Sequence, residues 1–138
     1  MLPKKINEDM YIPKHTLMDD YEEICEFIDN NNFAVLVSTN DGNLNATHIP
    51  VLLKKENNSY GTLYCHIAKA NPQWKNIDED VLVIFSGPHQ YISSSWYETD
   101  KSVSTWNYFA VHACGKISII DNRDEKIKIV TELTKYFE

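Results

Sequence analysis

The hydrophobic pattern has a helical period near each end of the chain. Between about positions 19 and 30 the apolar residues fall on one helix face, formed by Tyr21, Ile24, Cys25, Phe27 and Ile28. Asp19, with Glu22 three residues later, fits the start of this helix. A second such face, over about 122–137, consists of Ile127, Val130, Leu133 and Phe137. The sequence therefore predicts an acidic helix early in the chain and another at its end.

Between these helices the apolar residues alternate or form short buried runs, which is typical of β-strands. The pattern predicts six strands, at 33–39, 44–53, 61–67, 80–85, 90–97 and 105–120. The pair Asp41-Gly42 favours a type I′ hairpin between the first two strands, and 86–89 ("SGPH") is predicted to turn the chain. After an extended lead-in at 1–15, sequential hairpins with a helix at each end predict a mainly β (α+β) fold. We expect one domain, an antiparallel barrel with flanking helices.

Two strands have a chemically distinct face. In the second strand Thr47 shares a face with Asn45, Ile49 and Val51, and His48 lies on the other face. In the last strand Trp106, Tyr108 and His112 share one face, and Asn107, Phe109 and Val111 are predicted to face the interior. The set of Trp106, Tyr108 and His112 suits stacking on a flat ring or packing at a subunit interface. A plain core strand is the alternative.

Charge and composition exclude several classes of function. The net charge of the 138 residues is 13 − 20 = −7 and Arg123 is the single arginine, so no nucleic-acid surface is expected. Three cysteines without paired spacing make no disulfide framework. No signal peptide or membrane-spanning run is visible, which predicts a cytoplasmic protein. His112 and Cys114 lack further ligands at zinc spacing, and no nucleophile motif occurs, so we expect neither a metal nor a catalytic residue.

A candidate anion site lies in "AKANPQWKNI". Asn71 is a good N-cap and Pro72 a good first helical residue. The N–H groups of Gln73 and Trp74 would then point out of the helix start, with a lysine on either side. This combination can hold a phosphate. An ordinary capped turn with Trp74 as a buried anchor is the alternative.

Several long segments resemble the PaiB family of FMN-binding split-barrel proteins. They are "MYIPKH" (10–15), "ATHIPVLL" (46–53), "GTLYCHIAKANPQW" (61–74), "VLVIFSGPHQYISSSWY" (81–97) and "TWNYFAVHACGKISIID" (105–121). They occur in the family's order and cover nearly the whole chain from residue 10. The resemblance implies a six-stranded antiparallel split β-barrel with flanking helices, usually a homodimer.

The resemblance also implies a cofactor and a role. Related flavoproteins, such as pyridoxamine phosphate oxidases, bind FMN at the dimer interface. The PaiB branch is described as a transcriptional regulator affecting sporulation and secreted-enzyme genes. Family members continue past the last helix into a segment with a Lys-Trp-Lys motif, which the 138 residues do not contain. We therefore expect a single split-barrel domain over 1–138 without that segment.

Carried onto this sequence, the resemblance places the FMN phosphate near the third strand and the turn after it. The cofactor-binding residues it implies are Thr47, His48, His66, Lys69, Asn71, Trp74, Lys75, Trp106 and Tyr108, the last two as ring-wall residues from the opposite subunit. The leading hypothesis is a regulatory protein with flavin or redox sensing, acting through a partner or a metabolite. An FMN-dependent oxidoreductase, a haem protein with His112 or His66 as axial ligand, and a cofactor-free dimeric module are the alternatives.

Overall fold

One antiparallel β-sheet forms the body of the molecule, in a computed structural model that describes residues 11–55, 60–75, 77, 80–99 and 101–138. Its strands are β1 (Phe33–Asn40), β2 (Asn43–Lys54), β3 (Thr62–Cys65), β4 (Asp80–Ile92) and β5 (Thr105–Lys116). Their order in the sheet is β3-β2-β1-β4-β5, and every neighbouring pair is antiparallel. The helices are α1 (Tyr21–Asn30) and α2 (Arg123–Phe137). Of the predicted lead-in, 1–10 lies outside the described residues.

The β1–β2 hairpin turns at the predicted Asp-Gly pair. Asp41 has φ of 49° and Gly42 has φ of 80°, the positive angles that a type I′ turn requires at both central positions. Asn40 pairs with Asn43 directly beside the turn. The hairpin prediction is confirmed, and the turn fixes the register that places Thr47 opposite Leu36.

The predicted turn at 86–89 is wrong, because β4 continues through these residues to Ile92. The register with β5 shifts between Ser86 and His89, so Gly87-Pro88 forms a bulge within a continuous strand. A Cβ on Gly87 would lie 2.6 Å from Cε2 of Phe27, and glycine therefore lets α1 pack close to the strand. The structure has five strands where the sequence predicted six, and over the described residues the sheet is open.

The core lies on one face of the sheet and is covered by α1. Its buried members are Ile28, Ala34, Leu36, Ile49, Val51, Val81, Val83 and Phe85, with Phe85 fully buried. Asp20, rather than the predicted Asp19, caps α1 by accepting hydrogen bonds from the backbone N–H groups of Glu22 (2.8 Å) and Glu23 (3.0 Å). The predicted apolar face of α1 is confirmed, since Cys25 and Ile28 are its buried residues.

The final helix has nearly the predicted bounds, but Leu133 is the one residue of its predicted apolar face that is buried. Ile129 and Leu133 are buried, whereas Ile127, Val130 and Phe137 are exposed. The helix begins at an Asn122 cap, whose side chain accepts from the N–H of Glu125 at 3.0 Å. No helix in the described part of the chain is long and apolar enough to cross a membrane.

An ion pair between Lys54 of β2 and Glu132 links α2 to the sheet. The hydrogen bond from Lys54 holds the pKa of Glu132 below its ordinary value. A carboxyl group whose pKa is lower in the folded than in the unfolded chain stabilises the fold at pH values above the unfolded pKa, about 4.3. This stabilisation is lost as the pH falls through the lower folded pKa.

We expect Lys54→Met to lower the free energy of unfolding at neutral pH. The difference from the parent in urea unfolding curves should decrease as the pH falls below about 4.3, and a difference that does not decrease would exclude this ion pair as its source.

Candidate functional site

One buried glutamine attaches the predicted anion-binding segment to β1 and β2. Gln73 is 3% exposed. Its side-chain Nε2 donates to the carbonyl of Leu36 (3.1 Å), Oγ of Ser38 (3.0 Å) and the carbonyl of Asn45 (3.3 Å). Its Oε1 accepts from the hydroxyl of Thr47. A single side chain therefore contacts both strands of the hairpin.

Asn40 adds a second attachment from the end of β1. Its Nδ2 donates to the carbonyl of Gln73 (2.9 Å) and to that of Lys75, and its Oδ1 accepts from Ser38 (3.0 Å) and Asn45 (3.2 Å). Over the residues described, every buried side-chain nitrogen and oxygen has a hydrogen-bond partner. We call the hydrogen-bonded side chains around Gln73 the polar cluster. Its members are Ser38, Asn40, Asn45, Thr47, Asn71 and Gln73.

Asn71 is the N-cap that was predicted, and it hydrogen-bonds one of the N–H groups that were predicted to bind phosphate. Asn71 accepts from the backbone N–H of Gln73 at 2.9 Å and donates through Nδ2 to Oγ1 of Thr47 at 2.9 Å. The N–H of Gln73 is therefore not open to an anion, contrary to the sequence prediction. Residues Pro72–Trp74 form one 3-10 turn.

Trp74 joins the two lysines of the segment instead of acting as a buried anchor. Its indole N–H donates to the carbonyl of Lys69 at 3.0 Å, and the ammonium of Lys75 lies 5.5 Å from the centre of its ring. The indole is half-buried, and both lysine side chains are exposed. The segment thus presents two exposed cationic side chains, of which that of Lys75 lies over an aromatic ring. Asn40 and Asn71 hold its backbone through hydrogen bonds.

The two histidines of the prediction are not brought into the polar cluster. His48 lies on the face of β2 opposite to Thr47, where its exposed ring stacks on Phe33 with centroids 6.0 Å apart. His66 follows the end of β3 and is exposed. Thr47 and Asn71 therefore meet as predicted, and His48 does not join them.

The predicted ring-wall residues lie at the far end of the β4–β5 hairpin, in a part that we call the arm (89–92 and 105–108). Trp106 pairs with Tyr91 and Tyr108 pairs with His89. The ring of Trp106 lies 5.5 Å from that of Tyr91, yet Trp106 is 58% and Tyr108 is 68% exposed. The arm thus presents aromatic surface that its own chain does not cover.

Within one chain the arm does not reach the polar cluster. The sheet aligns Thr47 with Leu36, Val83 and Ala113 across four strands. Trp106 is seven residues from Ala113 along β5, which corresponds to roughly 23 Å of strand. A ligand in contact with both regions would need the arm of a second copy.

The inward face predicted for β5 is correct only near the centre of the sheet. Val111 packs against the core, but Asn107 is exposed and Phe109 is 58% exposed. The reason is that α1 covers the sheet only as far as the Gly87 bulge. Beyond it lies an open groove of about 380 Å³, lined by Met18, Glu23, Glu26, Phe27, Asn30, Asn31, Pro88 and Phe109.

Two observations concern metal ligands and a potential nucleophile. Across the described residues, no three histidine, cysteine, aspartate or glutamate side chains converge as metal ligands would. Burial raises the pKa of the Cys65 thiol, which keeps it protonated and a poor nucleophile at neutral pH. The lysine ammonium groups and the indole of the turn are groups that can bind a ligand.

Sequence reasoning missed Gln73, Asn40 and Ser38. A signal for them was available, since Ser38, Asn45 and Thr47 stand in phase with the apolar residues that face the core. Polar residues on an inward face require polar partners, because a buried group without a hydrogen bond costs about 1–3 kcal/mol. The glutamine flanked by proline and tryptophan supplies that partner.

Comparisons with known proteins bear on this site. Residues 10–138 match the profile of the family described as "Putative FMN-binding domain". The chain is 43% identical over 129 residues to "Protease synthase and sporulation protein PAI 2" of Bacillus subtilis. This alignment covers 92% of the chain and 61% of that protein. It is 34% identical to an uncharacterised protein of Aspergillus fumigatus, over 68% of the chain and 50% of that protein. The chain thus spans less than two thirds of the length of these curated relatives.

A solved structure has a similar fold. It is described as a "putative 5-nitroimidazole antibiotic resistance protein" from Bacteroides thetaiotaomicron, and it superimposes with a TM-score of 0.64 at 18% identity. The match covers 88% of the chain and 68% of that protein. At this identity the comparison concerns the fold alone.

Proposed function

Because the chain belongs to the family described as "Putative FMN-binding domain", we propose that it binds FMN with the phosphate at the Lys69–Lys75 turn. The family match over residues 10–138 carries this proposal, and the PaiB resemblance of the motifs is confirmed by the identity to PAI 2. Flavin chemistry would come from the cofactor, while the chain supplies binding and orientation.

The local structure supports the phosphate position. Lys69 and Lys75 are exposed cations in a chain of net charge −7, and the polar cluster holds the backbone between them. Ammonium groups bind phosphate through charge-assisted hydrogen bonds. In this proposal Thr47 and Asn71 hold the turn, Lys69 and Lys75 contact the phosphate, and Trp74 borders it. His48 faces away and is left out.

We further propose a homodimer in which the arm of one copy completes the flavin site of the other. The exposed aromatic residues at and beyond the arm are Tyr91, Trp96, Tyr97, Trp106 and Tyr108. β5 is an edge strand, whose unpaired side can join another chain. A contiguous exposed apolar surface of this kind marks an interaction site.

Assembly is directly testable at the arm. We expect the parent to have the mass of a dimer in light scattering, and Trp106→Ala with Tyr108→Ala to shift it toward the monomer, because the apolar contact is lost. A matched control replaces Tyr11 and Tyr60, exposed tyrosines outside the arm, with alanine and should leave the dimer intact. A monomeric parent at micromolar concentration would contradict the dimer.

Cofactor binding has an equally simple test. We expect FMN fluorescence to be quenched on titration with the protein, and riboflavin to bind more weakly because it lacks the phosphate. Equal affinity for both would contradict the phosphate site. A Soret band in the purified protein would favour haem instead, and a protein that quenches neither flavin would favour a cofactor-free module.

For the biological role we propose regulation with the flavin as input. The relative PAI 2 is described as a protease synthase and sporulation protein. A net charge of −7 with one arginine gives this chain little attraction for DNA phosphates. Regulation would therefore pass through a protein partner or a metabolite.

A further inference from the structure

We propose that Gln73 is the positioning residue of the phosphate site, because its side chain sets where the two lysines stand. This inference rests on the proposed FMN site. Gln73 contacts no phosphate in this scheme, since its side chain is 3% exposed and points at the sheet. It acts through the turn that it holds.

The geometry leaves Gln73 few other positions. Nε2 has two hydrogens and three acceptors within 3.0–3.3 Å, on β1 and on β2. Its Oε1 accepts from Thr47, whose hydroxyl also accepts from Asn71. Both polar side-chain atoms of Gln73, Nε2 and Oε1, thus form hydrogen bonds. Its backbone N–H and carbonyl are also bonded, to Asn71 and Asn40. A shift of the turn would break several of these bonds together.

The amide is needed at this position, and a side chain of the same shape would not suffice. In Gln73→Glu the donor becomes a carboxylate oxygen that faces the carbonyl oxygens of Leu36 and Asn45. A deprotonated carboxylate has no hydrogen to donate to these carbonyl oxygens, and the buried charge would have no cationic partner among these contacts. The turn would have to move away from β1 and β2, and both lysines would move with it.

The experiment compares FMN with riboflavin in three proteins. These are the parent, Gln73→Glu, and the control Asn122→Asp, which makes the same amide-to-carboxylate change at the α2 cap, where aspartate caps equally well. We expect Gln73→Glu to weaken FMN by about tenfold, the equivalent of one charge-assisted hydrogen bond, with riboflavin unchanged. Asn122→Asp should leave both affinities unchanged.

A second experiment separates positioning of the lysines from a general loss of structure. In the background of Lys69→Ala and Lys75→Ala, Gln73→Glu should cause no further loss of FMN affinity, because nothing remains to be positioned. Should Gln73→Glu fail to fold, Thr47→Val tests the same point. It removes the hydroxyl between Gln73 and Asn71 at nearly constant volume and should also weaken FMN selectively.

Three outcomes would overturn the inference. Gln73→Glu could bind FMN as tightly as the parent, or it could lose FMN and riboflavin equally, which indicates a merely structural role. If the parent binds FMN normally, these results refute the positioning role and leave the proposed function standing. A parent that binds no FMN would overturn the proposed function, and this inference with it.

Discussion

Replacing Lys69 and Lys75 together with alanine is expected to weaken FMN binding by about 3 kcal/mol. Each ammonium group contributes about 1.5–3 kcal/mol when it bonds a charged partner, and the exposure of both side chains places the effect at the low end. Riboflavin should bind the variant and the parent alike. Fluorescence titration at low ionic strength measures both affinities.

The matched control for this variant removes the same two charges elsewhere. Lys128 and Lys135 are exposed lysines of α2, and their replacement with alanine makes the net charge equally more negative. We expect this control to change FMN affinity only slightly, through long-range repulsion that 0.15 M salt screens beyond about 8 Å. Equal losses in the two double variants would mean that overall charge, and not the turn, governs binding.

Leu133→Ala is expected to lower the free energy of unfolding by about 3 kcal/mol. Leu133 is among the largest fully buried side chains, at 2% exposure, and with Ile129 it is what α2 buries. Large-to-small substitutions in a core cost about 2–5 kcal/mol through lost contacts and the remaining cavity. Urea unfolding followed by circular dichroism gives the value.

Val130→Ala on the same helix is the control. Val130 is exposed, so its truncation should change stability by no more than about 0.5 kcal/mol. A loss at Val130 comparable to that at Leu133 would contradict this placement of α2. If that loss also grows with protein concentration, another copy covers the exposed face of the helix.

Local signals in the sequence were sufficient for the local structure. Asp41-Gly42 forms the predicted turn, Asn71 is the N-cap that was predicted, and β2 has the predicted faces. The errors arose where a local signal has two meanings. Gly87-Pro88 reads as a turn, yet the same pair forms a bulge when a paired strand continues on both sides.

The buried face of α2 depended on tertiary contacts that periodicity does not contain. Ile127 and Val130 have the right spacing for a core face, but the helix meets the sheet through Ile129 and Leu133. The same limit applies to the site. Asn71 was predictable because its partner is two residues away, whereas the bonds of Gln73 span 26 to 37 residues.

The close approach of Phe27 to Gly87 makes positions 27 and 87 one steric unit, although one lies on a helix and the other on a strand. The added Cβ at 87 would meet two ring atoms of Phe27 at 2.6 and 2.8 Å, and the carbonyl oxygen of Phe109 at 3.4 Å. A side chain at 87 would thus require the ring of Phe27 to move or to be replaced by a smaller side chain. Which residues the bulge can accept at 87 therefore depends on a side chain of α1, whereas a smaller residue at 27 asks nothing of position 87.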